Sequence, residues 1–158
     1  FGNAFSTFIA QNYGAKKEDR IRAGIKSAVG AAAVFCLLIS TLVFLFARPL
    51  LLIFIRPEES EILSIGVEYL RIEGAFYCGI CALFLLYGLY RAIQKPGMSL
   101  VLTVISLGTR VVLAYTLSAV PAVGVAGIWW SVPIGWFLAD LAGLLYYRYY
   151  IRKNHGLF

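Results

Sequence analysis

The sequence predicts an all-α polytopic membrane protein with one partial and four complete transmembrane helices. Hydrophobic residues make up 61% of its 158 residues and charged residues 14%, whereas soluble domains contain about 25% charged residues. The stretch from Ser27 to Ala47 carries no charge. A helix of that length, rising about 1.5 Å per residue, reaches about 31 Å, which matches the hydrocarbon thickness of a bilayer. Lipid is therefore the expected surroundings of most of the chain.

The first predicted element is a partial helix at residues 1–13, in which apolar side chains alternate with small and hydroxyl residues. Because the sequence begins inside this helix without a Met, we expect it to be a piece of a longer protein. No basic segment with a small-residue cleavage site is present, so no signal peptide is predicted. Gly14 follows, and we expect it to take the left-handed conformation that often ends a helix.

Four complete helices are predicted at about residues 24–55, 58–93, 97–118 and 124–148, followed by a cytoplasmic tail at residues 149–158. The helix at 58–93 is expected to begin with an amphipathic turn at the outer surface. Pro57 suits a first helical position, and the carboxylates after it suit the helix dipole. Pro121 breaks the apolar run between the last two helices.

The charges of the connecting segments predict the orientation. Basic residues crowd the segment before the first complete helix, the turn with Arg91 and Lys95, and the tail. The connection at residues 56–61 is rich in acids, and the one around Pro121 has no charge. Lys and Arg concentrate on the cytoplasmic side of membranes. The protein is therefore predicted to lie in a cell (inner) membrane, with its basic connections and its C-terminus in the cytoplasm. This placement accounts for the net charge of +6, and nucleic-acid binding is not predicted.

No catalytic arrangement is present in the sequence, so an enzyme is not predicted. It has no Ser/His/Asp set, no metal-ligand spacing and no Gly-rich phosphate loop. Cys36, Cys78 and Cys81 all lie in apolar stretches, and the single histidine, His155, lies in the tail. We therefore interpret the cysteines as packed or lipid-facing hydrophobes rather than as a metal or redox site.

Three ionisable residues inside the apolar segments are candidates for a cavity: Arg110, Glu73 and Asp140. A charge in the middle of a span costs about 2.5–3.5 kcal/mol to insert, so it should face a bundle interior or water. Arg110 is expected about 12 Å deep and about 9 Å from Glu73 along the membrane normal. We expect these two to face each other across an outward-open cavity.

Each of these residues also has a structural interpretation. Arg110 could clamp backbone carbonyls, Asp140 could cap or pair with a nearby basic loop, and Glu73 could be solvated near the outer surface. Several aromatic residues of the predicted spans could bind an organic cation through their ring faces: Phe76, Tyr77, Phe84, Tyr87, Trp129, Trp130 and Trp136. Tyr77 and Trp129 are the site candidates among them. The alternative for them is packing or contact with lipid.

Several segments resemble the multidrug and toxic compound extrusion (MATE) family. The segment AFSTFIAQNYGAKKEDR, residues 4–20, is similar to a helix end of that family, and the resemblance is carried by Gln11, Asn12, Gly14 and Ala15. Further similar segments are YLRI (69–72), LYRAIQKPGMSL (89–100), SLGTRVVLAYTL (106–117) and GVAGIWWSVPIGWFLAD (124–140). Their order and spacing make the resemblance specific.

The resemblance implies that the chain is part of a six-helix C-terminal transporter lobe, from the end of the eighth helix to the twelfth. Such proteins export organic cations in exchange for protons or sodium by alternating access, with no further cofactor. The missing N-terminal lobe is then the partner. Some members carry a carboxylate in the middle of the tenth helix, where residues 79–83 here are apolar. That difference weakens a sodium-type site in this lobe and favours proton coupling through the missing half.

Two alternatives remain open at this point. A flippase for lipid-linked sugars, from the same broader superfamily, would be expected to line its cavity with more cationic residues than Arg110, the only basic residue deep in a predicted span. A non-transporting structural membrane subunit would have no use for buried ionisable groups.

Overall fold

The computed structural model describes the backbone of residues 2–153 and the side chains of residues 2–150. Phe1 and residues 154–158 of the predicted tail lie outside the described residues. Within the described part the chain is helical and contains no strand, which confirms the predicted all-α class. The helices are α1 (Gly2–Gly14), α2 (Glu18–Leu51), α3 (Ser60–Ala75), α4 (Tyr77–Ala92), α5 (Pro96–Ser118) and α6 (Ala126–Lys153).

The helices give four segments that can cross a membrane, in agreement with the predicted number of complete spans. α2, α5 and the Ala126–Tyr150 part of α6 are each long and apolar enough to do so alone. α3 and α4 meet that condition together, as one span bent by 47°. The bend lies at Phe76, whose φ of −111° and ψ of 16° are not helical. The single helix predicted at residues 58–93 is therefore two helices joined at this residue.

Two predicted boundaries differ from the structure. α2 begins at Glu18, inside the segment taken as a basic linker, because Glu18 and Asp19 place carboxylates in its first turn. It ends at Leu51 rather than near residue 55. Near that end it kinks at Phe46 (φ −103°, ψ 19°), one turn before Pro49, whose ring and missing N–H disturb the preceding turn. α6 continues to Lys153, so the first part of the predicted tail is helical.

α1 ends differently from the expectation for Gly14. Gly14 is the last helical residue, and the left-handed conformation falls on Lys16, with a φ of 54°. The N–H of Lys17 donates to the carbonyl of Asn12 at 2.9 Å, which closes a Schellman motif. α4 ends in the same way at Gln94, with a φ of 59°. In both basic turns the left-handed position is held by a long polar side chain.

α6 packs closely against its neighbours because glycines line its contact face. A Cβ atom built on Gly135 would lie 2.7 Å from the carbonyl oxygen of Ser106 on α5. One built on Gly127 would lie 2.7 Å from the Cβ of Leu117, also on α5. Small residues at such contacts allow transmembrane helices to approach through their backbones. This approach joins α5 and α6 closely, while α4 is the helix that contacts all five others.

Large apolar side chains cover the outside of this arrangement, and the fully buried core is small. Phe54 is 86% exposed and Tyr115 is 75% exposed. Tyr90, by contrast, is fully buried and donates its hydroxyl hydrogen bond to the carbonyl of Gly143 on α6. Apolar exposure of this extent is what a lipid-facing surface requires.

We expect Gly135→Ala to destabilise the protein, because the added methyl group would meet a backbone oxygen that cannot move aside. Overpacking of this kind costs about 1–3 kcal/mol. The matched control is Gly108→Ala on α5, where a Cβ atom meets nothing within 4 Å. Thermal unfolding of the two variants in detergent should show a lower midpoint for the first and an unchanged or higher one for the second. Equal midpoints would contradict the close contact of α5 with α6.

Candidate functional site

Glu73 is a buried residue beside the bend between α3 and α4. The bend lies near the middle of the Ser60–Ala92 pair, and Glu73 lies three residues before it. Its side chain is 6% exposed, which argues against the interpretation as a solvated surface residue. Within the described residues, no hydrogen-bond partner reaches its Oε1 atom. A buried carboxylate oxygen without a partner is costly in lipid and points to function.

Arg110 crosses from α5 towards the aromatic face of α6. Its guanidinium lies over the ring of Trp136, with 5.8 Å between its Cζ atom and the ring centroid. Gly135 lies beside this crossing, and a Cβ atom there would be in ordinary contact with the Cβ of Arg110 at 3.7 Å. In the described part of the chain, the buried Nε of Arg110 has no hydrogen-bond partner. The contact is therefore with a ring and not the expected clamp on backbone carbonyls.

Arg110 and Glu73 are close enough for their charges to interact. Arg110 also interacts electrostatically with Tyr69, which in turn interacts with Glu73 and Tyr77. α3 and α5 do not adjoin, and each packs against α6 instead. The two charged residues thus lie on helices that both pack against α6.

The tryptophans of α6 complete this group of residues. Trp129 packs against Tyr69 with 6.0 Å between the ring centroids and 65° between the planes. We call the whole set the Arg110–Glu73 cluster, and it comprises Tyr69, Glu73, Tyr77, Arg110, Trp129 and Trp136. It brings together four of the five residues proposed as cavity candidates from the sequence.

Tyr69 is the member that sequence reasoning missed as a site residue, whereas Trp136 was among the aromatic residues considered for cation binding. A signal for Tyr69 was present in the spacing. Tyr69 precedes Glu73 by one turn, so it shares a helix face with a residue already singled out.

Asp140, the fifth candidate, lies one turn after Trp136 on α6, and a Cβ atom built on Gly79 would lie 4.0 Å from its Oδ2. It borders an apolar cavity of about 310 Å³ between α1, α2, α4 and α6. Its Oδ1 atom has no hydrogen-bond partner within the described residues. It also lies near the middle of the Ala126–Tyr150 segment, so the structure does not support the expectation that it caps or pairs with a basic loop.

The three cysteines border the same cavity as Asp140. Cys36 comes from α2, and Cys78 and Cys81 come from α4. The thiol of Cys36 interacts with those of both other cysteines, and all three are free. Among the described residues, no group of three or more His, Cys, Asp or Glu side chains is arranged to hold a metal ion.

Arg71 is a second basic residue near the bend. It lies in α3, two residues before Glu73 and within the helix predicted at residues 58–93. The guanidinium of Arg71 lies over the ring of Phe44 on α2, 5.4 Å from its centroid. It is exposed and faces away from the Arg110–Glu73 cluster.

The residues that carried the family resemblance in α1 have a structural role in the described chain. Asn12 is buried, and its Nδ2 donates to the carbonyl of Phe8 at 2.8 Å. The N–H of Ala15 donates to the carbonyl of Gln11 at 3.1 Å. Together with Gly14 they form the end of α1 from which the basic turn starts.

Comparisons with known proteins agree with one another. The family model MatE matches residues 1–116. The "Probable multidrug resistance protein YpnP" of Bacillus subtilis (strain 168) is 30% identical over 159 residues, which cover 99% of this chain and 35% of YpnP. A solved structure described as the inward-facing conformation of a multidrug resistance MATE family transporter of the MOP superfamily superposes with a TM-score of 0.87.

The similarity to that structure is one of fold. Sequence identity is 21%, and the match covers 96% of this chain and 35% of the other. The chain thus spans about a third of the length of both proteins, and its helices match those of a transporter lobe.

Asp140→Asn is expected to leave the thermal unfolding midpoint unchanged or to raise it. A carboxylate without a partner costs more to bury in an apolar span than a neutral amide of the same shape. Tyr90→Phe serves as the comparison, because it removes a satisfied buried hydrogen bond and should cost about 1 kcal/mol. Detergent-solubilised protein would be used for both measurements. A midpoint for Asp140→Asn that falls as far as that of Tyr90→Phe would show that the carboxylate has a partner.

Proposed function

The chain belongs to the MatE family, and on that premise we propose that it forms part of the C-terminal lobe of a multidrug efflux transporter. In this proposal the transporter exports organic cations in exchange for protons or sodium by alternating access. The name of YpnP and the family of the matched structure support the activity. The observation that carries the proposal to particular residues is the Arg110–Glu73 cluster, with its unpartnered carboxylate among aromatic rings.

The cluster has the chemistry that a lipophilic cation requires. A ring face attracts a cation within about 6 Å of its centroid, most strongly when water is excluded. Tyr69, Trp129 and Trp136 supply the rings, and Glu73 supplies a negative charge at the same depth. Binding sites for small molecules typically combine such an apolar lining with a few polar groups.

Glu73 is the group that we propose to carry the coupling ion. Its carboxyl is faced by Arg110 and Tyr69, with Tyr77 next to Tyr69. The positive charge of Arg110 disfavours a sodium ion at this carboxylate, whereas a proton can bind without further ligands. We therefore favour proton coupling, in which binding of the cargo and protonation of Glu73 exclude each other.

The proposed transporter also requires a membrane orientation and a partner lobe. The protein lies in the cell membrane with the basic turns that follow α1 and α4 in the cytoplasm, because Lys and Arg favour that side. An N-terminal lobe of the same protein is the proposed partner, since both matched proteins are about three times as long as this chain. The two lobes together would enclose the cargo.

A flippase for lipid-linked sugars is the second candidate, and Arg71 is the observation that favours it. A second arginine at mid-span could bind the phosphate of an anionic cargo together with Arg110. The unpartnered carboxylate of Glu73, however, would repel such a cargo.

Glu73→Gln is expected to abolish cation efflux driven by a pH gradient, because the amide can neither release a proton nor attract the cargo. Efflux of ethidium from cells or proteoliposomes would be followed by fluorescence. Glu68→Gln, on the exposed side of α3, is the matched control and should transport normally. Efflux that persists in Glu73→Gln, or that collapses on sodium removal but not on loss of the pH gradient, would refute the proposed proton site.

Reporter fusions should place the segment between α2 and α3 outside the cell and the basic turn after α1 inside. Alkaline phosphatase fused within residues 52–59 is expected to be active, whereas the same fusion at Lys16 is expected to be inactive. The reverse pattern is expected for green fluorescent protein. Finding both segments in one compartment would contradict the proposed orientation.

A further inference from the structure

Arg110 is held in an unusual way for an arginine inside a transmembrane span. Such a side chain normally pairs with a carboxylate or with backbone carbonyls. Here its guanidinium lies over the indole of Trp136 at 5.8 Å, and its Nε has no hydrogen-bond partner within the described residues. Trp136 itself is 5% exposed. The indole of Trp136 therefore already binds a cation, the guanidinium of Arg110.

The indole of Trp136 has little room for a second cation. α4 packs against it at Gly79, where a Cβ atom would lie 3.5 Å from the Cβ of Trp136 and 3.7 Å from its Cε3. A guanidinium and an organic cation are attracted to a ring face by the same quadrupole. A cargo cation that uses this face has to take the place of Arg110.

We propose that Arg110 is a tethered cation that occupies the Trp136 site until an organic cation displaces it. The proposal rests on the proposed function and deepens it, because it makes Arg110 a determinant of which cations bind. Glu73 is the group to which the displaced guanidinium can turn, since the two charges already interact and Oε1 is free of partners within the described residues. A tethered group competes at an effective concentration in the millimolar range. Cations that bind rings weakly are therefore excluded.

The test is a double-mutant cycle between Arg110 and Trp136. Binding of radiolabelled tetraphenylphosphonium would be measured on the purified transporter at its natural length, for wild type, Arg110→Gln, Trp136→Leu and the double variant. Removing the internal competitor should tighten binding by about tenfold when Trp136 is present. In the Trp136→Leu background the same removal should change nothing. The matched control is Arg71→Gln, because Arg71 also lies over a ring but outside the cluster, and it should bind as wild type does.

Three results would overturn the proposal. The first is unchanged or weaker binding in Arg110→Gln. The second is equal tightening with and without Trp136, which would show general charge repulsion rather than competition for the ring. The third is loss of folding in both Arg110→Gln and Arg110→Met, the latter of which carries an apolar, unbranched side chain. That result would show that Arg110 is a structural residue.

The proposed function can fail separately. If no form binds tetraphenylphosphonium and none exports ethidium, organic-cation export is wrong and the tethered cation is wrong with it. If wild type binds and exports these cations but the double-mutant cycle shows no coupling, only the role of Arg110 is overturned.

Discussion

The hydrocarbon core of the membrane offers no hydrogen bonds, and this constraint governs the structure. It requires each backbone segment to satisfy its own N–H and C=O groups, which explains why the described chain is helical. It also makes every buried charge unfavourable in free energy. Glu73, Arg110 and Asp140 are therefore expected to be offset by other interactions or to serve a function. The chain keeps these residues while covering its outer surface with side chains as apolar as Phe54.

α6 contacts or carries two of these three charged residues. Its glycines allow α5 to approach through the backbone, so that Arg110 can cross to Trp136. One turn further along the same helix, Asp140 faces the cavity between α1, α2, α4 and α6. A single helix thus separates two polar centres, one lined by aromatic rings and the other by thiols. Both centres lie in segments that are long and apolar enough to cross a membrane.

Hydropathy and charge pattern were sufficient to predict the spans and the residues worth attention, because both follow directly from the solvent. They could not predict the bend at Phe76, because no proline marks it. Glycines lie on either side, at Gly74 and Gly79, but glycine also occurs in straight transmembrane helices. The convergence of Cys36 with Cys78 and Cys81 could not be predicted either, because it depends on how α2 and α4 pack. The left-handed position after α1 fell on Lys16 because the helix includes Gly14.

The bend at Phe76 has an electrostatic effect of its own. Each helix ends in unpaired peptide groups that amount to about half an elementary charge, negative at the C-terminus and positive at the N-terminus. At Phe76 the negative end of α3 meets the positive end of α4, three residues after Glu73. The peptide backbone therefore supplies partial charges of both signs within the combined span, and straightening the span would erase them.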